Sequence, residues 1–318
     1  MAQEFPQPID SVLTPRFGAI ATFMRLPHMT DPAKLDIALV GVPWDGGTTN
    51  RPGARHGPRQ IRDMSAMMRR VHPTSMVAPF EIARIADLGD SPVNPIDVMD
   101  SLVRIEKCFA AIHAAGCMPL AAGGDHLITL PIFRAIARNR PIGMIHVDAH
   151  CDTNDTYFGG YKYTHGTPFR RAVEEGLLDP KRVVQIGIRA SMYAKDDNDF
   201  SHSSGMRVIE MQEVEKIGID AVIAEARRVA GDGPTYISFD VDGLDPVFAP
   251  GTGTPETGGL TTREALTLLR GLRGLNLVGG DVVEVSPPFD ASGNTALVGA
   301  SMMFEIMCLM AECVAKRR

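Results

Sequence analysis

The stretch Ile142-Gly143-Met144-Ile145 leads through His146-Val147 into Asp148-Ala149-His150-Cys151-Asp152. A short apolar run closed by a polar cluster reads as a buried strand with its functional groups at the end. In an extended chain, residues two apart share a face, so Asp148, His150 and Asp152 are expected to project from one side. Carboxylates that close do not all stay ionised without a cation between them. Tyr236-Ile237-Ser238-Phe239 repeats the device, running into Asp240-Val241-Asp242, and His126 follows Gly123-Gly124-Asp125. The inventory is then four carboxylates and two imidazoles, which suits two divalent metals. With oxygen and imidazole ligands and no thiolate, Mn(II) is expected ahead of Zn(II). Cys151 falls between two same-face positions and is expected to be a small buried apolar residue.

Working outward, the pattern alternates strands and helices. Strands are predicted at 35–42, 82–88, 118–122, 142–147, 183–188, 206–209, 235–239 and 277–285. Helices are predicted at 58–70, 95–115, 126–138, 168–175, in the segment ending at Arg228, at 261–272 and at 295–315. The helix at 95–115 has Val98, Leu102, Ile105, Phe109 and Ile112 recurring every three or four residues. Residues 1–34 lack periodicity and are expected to wrap the surface or meet another subunit. Continuous apolar strands between helices argue for an α/β fold with a parallel sheet covered on both faces. No linker or composition shift divides the chain, so residues 1–318 are expected to form one domain. Every metal-type residue lies at a strand C-terminus, where open α/β sheets place their sites.

The composition is that of a soluble globular protein, 44% hydrophobic and 22% charged. With 32 basic against 38 acidic residues and a net charge of −6, the basic footprint of a nucleic-acid binder is absent. No apolar run is expected to reach the roughly 18 to 20 residues that span a bilayer, so no membrane partner is expected. Residues 1–15 lack the charged and apolar regions of a secretory signal. Five cysteines without paired spacing fit a reducing, cytoplasmic setting.

Taken singly, each polar piece has a plain structural explanation. An Asp pair at a strand end often caps a turn, and a His after two glycines often just opens a helix. Three such pieces at three strand ends shift the balance, because four carboxylates brought together without a cation would be costly. Two metals can share one water, lower its pKa and aim it at carbon or phosphorus. The ligands alone leave phosphate ester hydrolysis open, though no Gly-rich phosphate loop of the usual kinds is present.

These motifs, Gly123-Gly124-Asp125-His126, Asp148-Ala149-His150-Cys151-Asp152 and Ser238-Phe239-Asp240-Val241-Asp242-Gly243-Leu244-Asp245-Pro246, resemble those of the ureohydrolase family of arginases and agmatinases. The similarity runs from Gly41-Val42-Pro43 to Glu284-Val285-Ser286-Pro287. It implies a three-layer α/β/α sandwich with a parallel, roughly eight-stranded sheet and a homo-oligomer, trimeric or hexameric. It also implies a dimanganese centre whose bridging hydroxide splits a guanidino group into urea and an amine. Position by position, His126 and Asp152 would bind one manganese and His150 and Asp242 the other, with Asp148 and Asp240 bridging. His165 would carry a proton to the leaving amine, and Glu284 would pair with the guanidinium.

Arginases place an acid soon after the strand matching 183–188. Here Arg189-Ala190-Ser191-Met192-Tyr193 follows, so arginine is not the expected substrate. The chain looks nearest to the bacterial guanidinopropionase and guanidinobutyrase branch, with 3-guanidinopropionate expected first and 4-guanidinobutyrate next. Tyr157 and Asn154 are the expected substrate-binding residues. The loop 157–163 is expected to line the pocket mouth, with Lys162 or a hydroxyl for a carboxylate tail. Asp155 is the residue that would serve a cationic tail such as agmatine's. A catalytically dead homologue acting as a binding partner is the remaining alternative, and it should have lost ligands.

Overall fold

The computed structural model describes residues 5–318. Eight strands, β1 (Ile37–Val42), β2 (Ile85–Asp90), β3 (Met118–Gly123), β4 (Ile142–Val147), β5 (Leu178–Ile188), β6 (Arg207–Glu210), β7 (Thr235–Asp240) and β8 (Leu277–Val283), form one sheet. Their order is β2-β1-β3-β8-β7-β4-β5-β6, and every pairing between them is parallel. β1, β3, β4 and β7 are buried along their whole length, as the unbroken apolar runs require.

Strand alternation sorts the core into two layers. On one face Leu39, Leu120, Ile145 and Ile237 pack with Ile61 of α1 (Gly57–Met64) and with helices from the second half of the chain. The latter contribute Val222 of α8 (Ile219–Ala230), Leu268 of α9 (Thr262–Gly271) and Met303 of α10 (Asn294–Arg317). On the other face Val40, Ala121, Met144 and Tyr236 meet Phe109 of α3 (Val98–Ala114), Phe133 of α4 (Thr129–Ile136) and Phe169 of α5 (Pro168–Glu174). Each such side chain contributes about 1.5–3 kcal/mol on burial. The result is the expected three-layer α/β/α sandwich. Short helices α2 (Pro79–Ile82), α6 (Asp199–Ser204) and α7 (Met211–Ile217) complete the chain.

Several boundaries differ from expectation for local reasons. The first helix stops at Met64 and passes into a 3-10 turn at Ser65–Met67, where Ser65 Oγ donates to the Arg62 carbonyl and accepts the Met24 N–H. Pro79 opens a helical turn, so β2 begins at Ile85 rather than at residue 82. The helix ending near Arg228 is broken by Gly218, whose φ is 78°. Contrary to the expectation that no apolar run reaches bilayer length, α10 contains an 18-residue window apolar enough to cross a bilayer. Within the fold 78% of that window is buried, so the helix is a core element.

The arrangement of strands positions the site. β3, β8, β7 and β4 are adjacent, and their C-terminal ends precede or carry His126, Glu284, Asp240 and Asp148. β1 and β2 lie to one side of this quartet and β5 and β6 to the other. That reversal of strand order is where an open sheet leaves a crevice.

Candidate active site

Each strand end presents its side chain through a local device. After β3, a Cβ on Gly124 would lie 2.2 Å from the Trp44 carbonyl oxygen, so the chain passes there only as glycine. Asp125 then caps the turn that opens with His126, its Oδ1 accepting the Leu127 N–H at 3.1 Å. After β4, Asp148 Oδ1 accepts the His150 N–H at 2.7 Å, and at the last residue of β7, Asp240 Oδ1 accepts the Asp242 N–H at 2.8 Å. Asp148 and Asp240 cap turns and still turn carboxylate oxygens to the site, so both explanations hold for them at once, whereas Asp125 spends its second oxygen on the Gly47 N–H. Asp148, His150 and Asp152 do not share a face in the way an extended strand would present them, because residues 148–152 are not extended and Asp152 has a φ of 52°.

All six expected metal-type side chains nevertheless converge. His126 Nδ1 lies 3.1 Å from Asp148 Oδ2, from Asp152 Oδ2 and from Asp240 Oδ2. His150 Nδ1 lies 3.2 Å from Asp242 Oδ2 and 3.4 Å from Asp148 Oδ1. The Ser238 hydroxyl donates to Asp281 Oδ1 at 2.7 Å and can only accept from His126 Nε2, 2.8 Å away. The proton of His126 is therefore on Nε2, leaving a lone pair on the buried Nδ1, which has no hydrogen-bond partner. A nitrogen lone pair about 3 Å from each of three carboxylate oxygens matches the spacing of adjacent ligands around an ion roughly 2.1 Å from each.

The electrostatics also call for a cation. Burial, then the charges of Asp242 and Asp148, pushes the Asp240 carboxyl well above its ordinary range. Burial, then Asp148, lifts Asp242 to about 6. Burial opposes a charge on His126, yet the carboxylates of Asp148, Asp152 and Asp240 drive its pKa well above the ordinary value, a pull on positive charge at Nδ1 that a dication would answer in place of a second proton. Oxygen and imidazole donors of this kind fit a hard or borderline dication.

Beside this cluster stands a second pair. Glu284 is buried and has left-handed backbone, with a φ of 63°. Expected within the last strand, it instead follows the end of β8 at Val283. Its Oε1 accepts the His126 backbone N–H at 3.0 Å and the His165 Nδ1–H at 2.9 Å. Its Oε2 has no partner. His165 Nε2 lies 3.2 Å from the Thr49 nitrogen and 2.8 Å from its hydroxyl oxygen, accepting there when the ring is neutral and donating to the hydroxyl when it is protonated. Burial, the largest single influence, would lower the His165 pKa, but the charge and hydrogen bond of Glu284 together with the charges of Asp152 and Asp125 outweigh it and raise it to about 9.

A cavity of about 410 Å³ includes His150, His165, Asp152 and Asp242 in its lining. Asn154 and Tyr157 line it too, the Tyr157 hydroxyl donating to Asn154 Oδ1 at 3.2 Å. The rest of the aromatic loop does not. Phe158, Tyr161 and Lys162 are exposed outside the lining, and Asp155 pairs with Arg171 at 2.8 Å. Cys151 packs with Ile188 and Val208, and burial pushes its thiol up to about 12. Arg189 turns its guanidinium to the carbonyls of Asp242 (2.7 Å) and Glu256 (2.6 Å).

Other groups at the site were not anticipated. Residues 49–51, 190–193 and 254–256 form further walls, and Tyr193 meets Tyr157 edge-on with ring centroids 6.0 Å apart. Loop walls carry no periodicity, so nothing in the sequence marks them. His146, Gln185 and Asp281 lie wholly buried inside strands, and here a signal existed. A polar residue in the middle of an apolar parallel strand must find a buried partner. A larger cleft of about 850 Å³ lies between Ile20–Thr22 and Arg55–Arg62. Both of its carboxylates, Asp87 and Asp90, are bound by Arg62, so neither is free.

Known proteins share this architecture. Residues 35–309 match the Arginase family. The chain is 65% identical to guanidinopropionase of Pseudomonas aeruginosa, over 99% of both chains. It is 49% identical to guanidinobutyrase of the same organism, over 98% of each. The solved proclavaminate amidino hydrolase of Streptomyces clavuligerus superposes with a TM-score of 0.91 at 40% identity, covering 94% of this chain and 100% of that one. The motifs, the parallel sheet and the converging His and Asp side chains thus agree with a match over nearly the whole length, and the chain belongs to the arginase family of amidinohydrolases.

Proposed function

We propose that the protein hydrolyses the guanidino group of a linear guanidino acid, 3-guanidinopropionate foremost, to urea and β-alanine, with two manganese ions as cofactor. The observation that carries this reading is the unpartnered His126 Nδ1 facing three carboxylate oxygens, next to a Glu284 oxygen that is also unpartnered. His126 and Asp152 would hold one ion and His150 and Asp242 the other, with Asp148 and Asp240 shared. When bound, the dications supply Lewis-acid activation of water for attack on an electrophilic carbon.

The chain's own residues do the remainder. Glu284 Oε2 accepts guanidinium N–H groups, a charge-assisted contact that holds the planar cation for attack from one face. As an imidazolium, His165 donates Nδ1–H to Glu284 and holds its second proton on Nε2, beside the Thr49 hydroxyl, from where it is placed to deliver that proton to the departing amine, which leaves poorly as an anion. Arg51 is the one cationic side chain, lysine or arginine, among the described lining residues. Its guanidinium stacks 4.0 Å over the Phe289 ring and donates to the Pro250 carbonyl. Its Nε has no partner, so Arg51 keeps a charged donor for a carboxylate tail beside the neutral donors of the wall. Because Asn154 Oδ1 is taken by Tyr157, its amide N–H groups are free for such a tail, and the Tyr157 ring limits the tail's length. The identity to guanidinopropionase supports the same choice.

A second reading rests on Glu256 and Asp197, acids of the same cavity wall, which would suit the cationic tail of agmatine. Comparing kcat/KM for 3-guanidinopropionate, 4-guanidinobutyrate, agmatine and arginine, manganese-loaded against chelated, decides between them. An agmatine preference overturns the guanidino-acid assignment, and no urea from any substrate restores the inactive-homologue alternative. We also propose a trimeric or hexameric assembly, supported by Val12, Leu13, Phe17 and Ile20, which are 82–95% exposed on one short segment.

A further inference from the structure

One residue layer beneath the six converging side chains, four polar residues stand side by side across four adjacent strands. Gln185 of β5 is the register partner of His146 in β4, His146 of Ser238 in β7, and Ser238 of Asp281 in β8. All four are fully buried. The Ser238–Asp281 half sets the tautomer of His126, as described above. The Gln185–His146 half has an equally forced direction. Gln185 Nε2 lies 2.6 Å from the Cys151 carbonyl oxygen. A carbonyl only accepts, so the amide must turn its NH₂ that way. The same nitrogen lies 3.1 Å from His146 Nδ1, which must then carry the lone pair. The imidazole proton sits on Nε2, 2.7 Å from Asp148 Oδ2, the oxygen that is also 3.1 Å from His126 Nδ1. The Phe169 ring packs edge-on against His146 at 4.5 Å between centroids. Although His146 stands among groups that could hold a metal, both its nitrogens are engaged, so it is not a ligand.

We propose that Gln185 and His146 are a positioning pair that holds Asp148 Oδ2 toward His126 and so preforms one of the two metal sites. The inference rests on the dinuclear reading above and adds an asymmetry to it. The polar row reaches His126 and Asp148 Oδ2, whereas His150 and Asp242 receive no hydrogen bond from it. Loss of the pair should therefore fall on the ion nearest His126.

Gln185→Leu and His146→Phe remove the two donors with little change of volume, and Gln185→Glu opposes the Cys151 carbonyl with an acceptor of the same shape. Manganese stoichiometry and affinity are read by calorimetric titration, the coupled ion pair by its electron paramagnetic resonance spectrum, and folding by circular dichroism. Wild type should bind two ions. The folded variants should bind one ion roughly 10–100-fold more weakly, with the coupled signal recovered at high manganese and KM for the guanidino substrate unchanged. Wild-type affinity for both ions in Gln185→Leu and His146→Phe overturns the proposal. Should those two not fold, wild-type affinity in Gln185→Glu overturns it. A wild-type protein that takes up no manganese fails differently, because it removes the dinuclear reading itself.

Discussion

Asp148 serves both halves of the site, one oxygen on the His126 side and the other on the His150 side. Asp148→Ala should therefore abolish manganese uptake and reduce urea formation to the level of a chelated sample, read by metal analysis and urea release. His165 makes a different prediction. Its pKa is raised to about 9 from 6.5, so the protonated form persists through neutral pH and is lost as pH rises through about 9. Bound dications would repel the imidazolium, placing the alkaline limb of the kcat profile at or below that value. His165→Asn should cost roughly 10²–10⁴-fold in kcat and erase the limb, and an unchanged limb would falsify its role as the acid. Tyr157→Ala should flatten discrimination between guanidino acids that differ by one methylene, a difference worth about 10–200-fold in a fitted pocket. Manganese content should stay as in wild type, and unchanged substrate ratios would count against the residue.

At the level of elements, the end of β5 matters most. Its register with β6 shifts between Ile186 and Ile188, and Gly187 there has a φ of 103° with space for a Cβ only 2.9 Å from the Asp148 carbonyl oxygen. Gly187→Ala should cost about 1–2 kcal/mol in backbone strain alone, lower the melting temperature and weaken manganese binding by displacing Asp148. A variant with unaltered metal affinity would show that the close approach is inconsequential. Arg189, next but one along, ties this strand end to the carbonyls of the loop bearing Asp242 and Glu256. Element existence was legible because long periodic helices and continuous apolar strands leave no alternative period. Where the chain broke ranks, as at Pro79 or Gly218, the decisive residue was visible, but its effect depended on what packed nearby.

Across the whole molecule, the two-layer packing of helices on one sheet buries α10, which by composition alone could cross a membrane. The same packing leaves the segment with Val12, Leu13, Phe17 and Ile20 uncovered. If that segment joins subunits, Phe17→Asp should lower the mass measured by light scattering while the circular dichroism spectrum stays the same. An unchanged mass removes Phe17 from any interface.

The amino-acid order alone determined the alternation of strands and helices, the strand ends that carry His126, Asp148, His150, Asp152, Asp240 and Asp242, and the demand of those carboxylates for positive charge. These follow from short-range periodicity and from the chemistry of side-chain types, which need no knowledge of distant neighbours. Only the tertiary structure decided that β8 and β7 lie between β3 and β4, and hence that Glu284 meets His165 across 119 residues of chain. Only it decided which walls close the cavity, and that Lys162 and Asp155 stay outside. It also aligned Gln185, His146, Ser238 and Asp281 in one row, because lateral register is set by packing between strands remote in sequence.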